Sequence, residues 1–305
     1  MACYLESQID SDRFSIIKMF RKPKFILNNC AAVITGAGSG IGRALAINLA
    51  DKGVHLSLCD IDPIGLEQTR QLLKPFNVHI HTKVVDVSDS QIVKDYAHEV
   101  SGIYPNVRLL INNAGIALFG TFSQASEDDF DRVWNVNFGG IVNMTRVFLP
   151  YLRKQPSAKI VNISSIFGMC APAGYTAYSA SKYAIRGFTE SLGHELEKTN
   201  VSVMSVHPGG VNTKISEHAI YPKLVTQEGH AKMISSFQAM AKMTPEQAAK
   251  IIVSGISNNK IRLYVGRDAY LLALISRLFP ISHWKVLRRI DYFALGIEKA
   301  PTQEG

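Results

Sequence analysis

The chain has 305 residues, 47% of them hydrophobic and 19% charged, with 33 Lys and Arg against 25 Asp and Glu for a formal net charge of +8. That balance excludes wholesale disorder, and the length suits one large α/β core as well as two smaller ones. Four cysteines (Cys3, Cys30, Cys59, Cys170) form no CxxC pair and have no histidine at ligand spacing. This argues against a disulfide framework or a metal site and fits a reduced, cytoplasmic protein.

Residues 1–28 read as an irregular leader, 29–268 as one domain and 269–305 as an apolar and basic tail. In chain order, the apolar run 31–35 predicts a first strand that stops at a glycine cluster. A helix follows over 41–52, then a strand over 54–59 closing at Asp60. A helix over 63–74 carries Pro63 early, where helices accept it. A strand over 79–85, a helix over 90–100, a strand over 107–111 and a long helix over 130–152 come next. The pattern ends with a strand at 159–163, a helix at 177–198, a strand at 201–206, a helix at 245–257 and a strand at 261–265. Such alternation specifies right-handed βαβ units and a doubly wound parallel sheet of about seven strands with helices on both faces. The tail adds a helical extension. The unbroken apolar strands agree, because a parallel sheet is covered on both sides.

No run of about 18 apolar residues is present to span a bilayer. Residues 1–12 carry acids and no apolar segment, so they do not form a secretory signal. The basic excess is spread along the chain, as on a solvated surface, and no nucleic-acid motif accompanies it.

In doubly wound sheets ligands bind beyond the carboxyl ends of the strands. The first strand ends in Thr35-Gly36-Ala37-Gly38-Ser39-Gly40-Ile41-Gly42. Gly36 can turn the chain, Gly40 can let a diphosphate approach the backbone, and Gly42 can let the next helix sit close to the sheet. The helix N-terminus then offers free N–H groups to phosphate, with Ser39 and Ile41 beside it. Asp60, 18 residues past Gly42, ends the second strand. Its carboxylate suits both hydroxyls of an adenosine ribose and repels a 2′-phosphate, which favours NAD, although Ser39 and Arg43 leave NADP open. Asp86 and Val87 end the third strand, where an adenine edge fits. Asn112-Asn113-Ala114-Gly115 ends the fourth, with small residues where a ribose and nicotinamide could approach.

Together with Tyr178-x-x-x-Lys182, Pro208-Gly209 and Thr213, these motifs resemble the short-chain dehydrogenases/reductases in their single-domain branch, over about residues 29–268. The resemblance implies a Rossmann-like fold, a nicotinamide cofactor and hydride transfer at a carbonyl or alcohol carbon. It implies a catalytic set of Asn137, Ser165, Tyr178 and Lys182, with Ser164 an adjacent rival for the serine role. It extends cofactor contact to Asn113, Ala114, Gly115, Tyr178, Lys182, Pro208, Gly209, Val211 and Thr213. Tyr178 is expected to exchange the proton, its phenol acidified by the Lys182 ammonium. Ser165 holds the substrate oxygen, and Lys182 also holds the nicotinamide ribose. Asn137, within the 130–152 helix, keeps a water on the way to solvent. His207 has no part in that chemistry and reads as a packed histidine.

Residues 214–244 are expected to cover the substrate, with Ile215, Ile220, Tyr221, Leu224, Val225, Met233, Ile234, Phe237, Met240 and Met243 suiting a lipophilic alcohol or ketone. A catalytically idle NAD-binding scaffold of the same fold is the alternative, and a nucleotide-sugar epimerase fits the glycine spacing less well. The tail, with Trp284 among Lys285, Arg288 and Arg289, reads either as packing on the protein or as a peripheral membrane contact, which the segment 14–22 could join. A homo-oligomer, a dimer through 130–152 and 177–198, is expected by analogy.

Overall fold

A computed structural model describes residues 23–222 and 227–289. The segment 14–22, Leu224, Val225 and the end of the tail from residue 290 lie outside the described residues.

Seven strands form one parallel sheet: β1 (Ala31–Thr35), β2 (His55–Asp60), β3 (Ile80–Val84), β4 (Val107–Asn112), β5 (Ala158–Ile163), β6 (Val201–Pro208) and β7 (Arg262–Val265). Their spatial order is β3-β2-β1-β4-β5-β6-β7, so the winding reverses between β1 and β4. That reversal opens a crevice at the carboxyl edge. In β1 every residue is buried, and alternate side chains enter different cores. Ala32 and Ile34 pack with Leu45 and Leu49 of α1 (Gly40–Ala50) and with Ile252 and Ile256 of α8 (Pro245–Ser257). Ala31 and Val33 face the other core, with Val100 of α3 (Ser90–Ile103) and Phe148 and Leu152 of α5 (Gly140–Arg153).

Local chemistry sets the helix starts. The Asp62 side chain caps α2 (Pro63–Leu73), where Pro63 occupies the first turn. Asp89 caps α3, and Ser126 caps α4 (Glu127–Trp134). Thr244 and Gln247 close a reciprocal capping box on α8. Cys30, Cys59 and Cys170 are free and buried.

The structure departs from the expected elements in two places. The helix over 130–152 starts earlier, as α4, and is interrupted by a π turn at Asn135–Gly139 before α5. In that turn the Gly140 N–H reaches the Asn135 carbonyl, five residues back. The widened turn rotates Asn137 fully into the interior, so it is not a residue of a regular helix. Residues 214–244, read only as a cover, contain the helix α7 (Gln227–Met240). Among the described residues the last helices are α9 (Arg267–Leu278) and α10 (His283–Arg289), which form the expected helical extension, and α9 starts directly after β7. The remaining long helix is α6 (Thr176–Glu195). Among the described residues no helix is long and apolar enough to cross a membrane.

Candidate active site

The strand ends surround a crevice of about 710 Å³. On its β1 side the glycine loop is shaped by contacts that a side chain would block. Gly36 has φ +65°, and a Cβ there would lie 2.8 Å from the Ala114 Cα. A Cβ on Gly42 would lie 2.0 Å from the Gly36 carbonyl oxygen, so α1 can start this close only with glycine. The Asn113 amide donates to the carbonyls of Thr35 (3.0 Å) and Gly36 (3.1 Å). In return the Thr35 hydroxyl accepts from the N–H groups of Asn113 and Ala114, both at 2.9 Å. The ends of β1 and β4 are thereby locked across the switch point. Gly40 faces Thr213, with the latter's methyl carbon 3.2 Å from where a Cβ would stand.

Asp60 lies at the rim, its carboxylate accepting from the Gly38 N–H at 2.7 Å and the Asp62 N–H at 3.0 Å. Arg43 is tied to the glycine loop and to α2. Its guanidinium donates to the Gly38 and Gly65 carbonyls, the Thr69 hydroxyl and the Gln68 side chain. The guanidinium is thus engaged in bonds that brace the loop. Asp86 holds Ser88 through its N–H (2.9 Å) and hydroxyl (2.6 Å), and Asp86 and Val87 line the crevice next to Asp60.

At the other end, Tyr178 and Lys182 project from one face of α6. The Ser165 side chain interacts with the Tyr178 hydroxyl. Ser164 points elsewhere, donating to the Lys182 carbonyl at 2.9 Å. The Lys182 ammonium donates to the Ile163 carbonyl at 3.1 Å and stands 5.4 Å from the centre of the Tyr178 ring. The Asn137 side chain is fully used: it accepts from the Ile116 N–H (2.8 Å) and donates to the Ile116 carbonyl (3.0 Å) and to Ser181 Oγ (3.0 Å). Gly115 leaves space for both groups, since a Cβ there would stand 3.1 Å from Asn137 Oδ1 and 3.4 Å from Lys182 Nζ. Gly42 and Asn137 sit just behind the crevice wall. Ser39, Ile41, Ala114, Pro208, Gly209, Val211 and Thr213 line it.

The electrostatics reverse one expectation. Burial pushes the Tyr178 phenol up to about 12, opposed only by the Ser165 side chain, and the same burial pulls the Lys182 ammonium down to about 8. Desolvation dominates both shifts, and the lysine charge, 5.4 Å from the ring centre, is itself disfavoured by the interior. Tyr178 is therefore fully protonated at neutral pH.

His207 is packed, and it also supports the site. Its Nδ1 lies 3.1 Å from the Ser165 carbonyl and its Nε2 2.8 Å from Ser205 Oγ. A carbonyl only accepts, so Nδ1 carries the proton and donates, while Nε2 accepts from Ser205. Burial first, then the nearby Arg262 and Arg186 charges, lower His207 to about 4 against the opposing pulls of the Ser165 bond and Glu190. The folded state thus favours neutral imidazole. The corresponding stability is complete above about pH 6.5 and is lost as pH falls toward 4, by about 3 kcal/mol at most. Thermal melts should show the parent losing stability over that range more steeply than His207→Asn. Parallel pH profiles would exclude His207 as the source.

Residues 30–221 match the sequence model described as short chain dehydrogenase. The chain belongs to the short-chain dehydrogenase family. Similar proteins include SadH of Mycobacterium tuberculosis, which carries an oxidoreductase name; it is 38% identical over 258 residues, covering 84% of this chain and 93% of that one. A 3-dehydrosphinganine reductase from Danio rerio is 30% identical over 263 residues, covering 84% and 77%. A short-chain dehydrogenase/reductase from Burkholderia phymatum, solved in complex with NAD, is 28% identical with a TM-score of 0.78, covering 84% of this chain and 95% of that one.

The crevice also draws on residues the motifs left out. Phe119, Ile166 and Phe167 line the crevice beside Tyr178, and Leu272 enters it from α9. Asp268 of α9 accepts from the Gly210 N–H at 2.6 Å and fixes the loop after β6. Only the Gly266-Arg267-Asp268 sequence at a strand end hinted at it.

Proposed function

We propose that this chain is an NAD-preferring oxidoreductase that interconverts a lipophilic secondary alcohol and its ketone. One observation carries this reading: the glycine cradle and the Tyr178–Ser165–Lys182 cluster open into the same crevice. The residues fit a dinucleotide. Gly36, Gly40 and Gly42 leave backbone access at the start of α1, and the Asp60 carboxylate can accept from ribose hydroxyls while Arg43 is engaged elsewhere. When bound, nicotinamide supplies or accepts the hydride.

The chain's own groups do the rest. Ser165 orients the substrate oxygen next to the Tyr178 hydroxyl. For ketone reduction Tyr178, protonated at neutral pH, is the donor. In oxidation it must first lose its proton, and the Lys182 charge lowers that cost. The Ile116 carbonyl, placed by Asn137, points to a polar route behind Lys182. Phe119, Ile166, Phe167 and Leu272 give the substrate end an apolar wall, which favours a lipophilic substrate. The names of two relatives, a 3-oxoacyl-[acyl-carrier-protein] reductase and a 3-dehydrosphinganine reductase, support a keto substrate of that kind. Exposed Trp134 and Tyr183 on α4 and α6 support a homodimer through those helices.

The test is fluorescence titration with NADH and NADPH, followed by turnover on a panel of lipophilic alcohols and ketones. NADH should bind more tightly than NADPH. Asp60→Ala should weaken NADH roughly tenfold, the loss expected for hydrogen bonds to a charged acceptor, and narrow the preference. Tighter NADPH binding by the parent would remove the role given to Asp60.

A further inference from the structure

Helix α9 is apolar on two opposite sides. One side is accounted for: Ala269 and Leu272 are buried, and Leu272 lines the crevice. The other side is not. Leu271, Leu274 and Leu278 fall on one exposed stripe of the helix, bordered by Tyr270, which is half exposed with its ring edge-on to Tyr264 at 5.3 Å, and Phe279 and Ile281 continue the surface into the turn before α10. Leu278 is 63% exposed and Ile281 96%. A helix with apolar residues all round normally has partners all round.

Charge indicates which partner. Residues 267–289 contain five basic side chains, Arg267, Arg277, Lys285, Arg288 and Arg289, and one acid. That acid, Asp268, is occupied by the Gly210 N–H. Arg267, Arg277 and Lys285 are exposed alongside the apolar stripe. A second copy meeting this face two-fold would bring like charges together. The chain's own segment 13–24 is no better matched, with Arg13, Lys18, Arg21, Lys22 and Lys24 and no acid. An apolar stripe edged by cations is complementary to an anionic lipid surface, whose acyl region accepts the leucines and whose headgroups accept the arginines.

We propose that α9 and α10 rest on an anionic bilayer surface, with the substrate crevice just behind α9. The bilayer would then be separated from the crevice by one helix, with Leu271, Leu274 and Leu278 in lipid and Leu272 at the reacting end. The docking stands on the surface itself; the delivery of substrate rests on the lipophilic-substrate reading above.

The test is cosedimentation of the full chain with vesicles of phosphatidylcholine and of phosphatidylcholine mixed with phosphatidylserine. The parent should bind the mixed vesicles more tightly. Raising salt to about 1 M, where the Debye length is about 3 Å, should weaken this binding. The double variant Leu274→Asp/Leu278→Asp should lose at least roughly tenfold in partitioning, while its melting temperature and NADH titration stay those of the parent. No preference for anionic vesicles, or equal partitioning of the variant, overturns the proposal. So does a variant that merely lowers the oligomeric mass in sedimentation velocity, which would assign the face to a second copy. Vesicle binding is read without turnover, so a failed substrate panel leaves docking standing and failed docking leaves the oxidoreductase reading standing.

Discussion

Tyr178→Phe should reduce turnover roughly a thousandfold in either direction, the scale of a lost general acid or base, while NADH affinity changes little. The change removes one oxygen from a site where burial already disfavours the charged phenolate. Ser165 keeps its bond to the Phe167 N–H at 3.1 Å, so the serine stays in place. The 5.4 Å approach of the Lys182 ammonium to the ring also survives, because phenylalanine presents the same face. Steady-state kinetics and NADH fluorescence on the same preparation separate chemistry from binding. A variant that turns over like the parent would show that the proton travels by another group. A variant that loses cofactor affinity in proportion to turnover would show instead that the phenol acts mainly in binding.

The strand pattern was readable because each central strand is covered on both faces and so is written as a largely apolar run, as in Ala31–Ile34, although Ala158–Ile163 carries Lys159 and Asn162 as buried polar exceptions. The crevice was readable for a related reason. Close backbone approaches admit only glycine, and Asn113 joins two strand ends with one amide, so these residues leave marks in sequence. The interruption at Asn135–Gly139 was not readable, since one extra residue in a turn leaves the apolar spacing of a helix almost unchanged. The sign of the Tyr178 shift was not readable either. Spacing in α6 gives the lysine's proximity to Tyr178, but desolvation depends on Ile163, Ser165 and the walls supplied by distant segments. The same holds for Asp268: its partner, the Gly210 N–H, is 58 residues away. Periodicity in α9 marks apolar faces without saying which of them the domain covers.

Gly42→Ala should weaken NADH binding at least tenfold and lower the melting temperature by several degrees. The new methyl would stand 2.0 Å from the Gly36 carbonyl oxygen and 2.7 Å from Asn113 Nδ2. Neither can yield cheaply. The carbonyl belongs to a loop held at φ +65°, and the amide is the clamp between β1 and β4. Relief requires α1 to move off the sheet, which costs on the order of 1–3 kcal/mol in packing and takes the helix N-terminus away from the phosphate position. Gly102→Ala in α3 is the matched control: a Cβ there meets nothing within 4 Å. By helix propensity alone it should stabilise by about 0.5–1 kcal/mol and leave NADH binding unchanged. The contrast isolates crowding from the generic effect of replacing glycine. If Gly42→Ala bound NADH as tightly as Gly102→Ala, the start of α1 would not be the diphosphate seat, and the orientation given to the dinucleotide in the crevice would have to be reversed or abandoned.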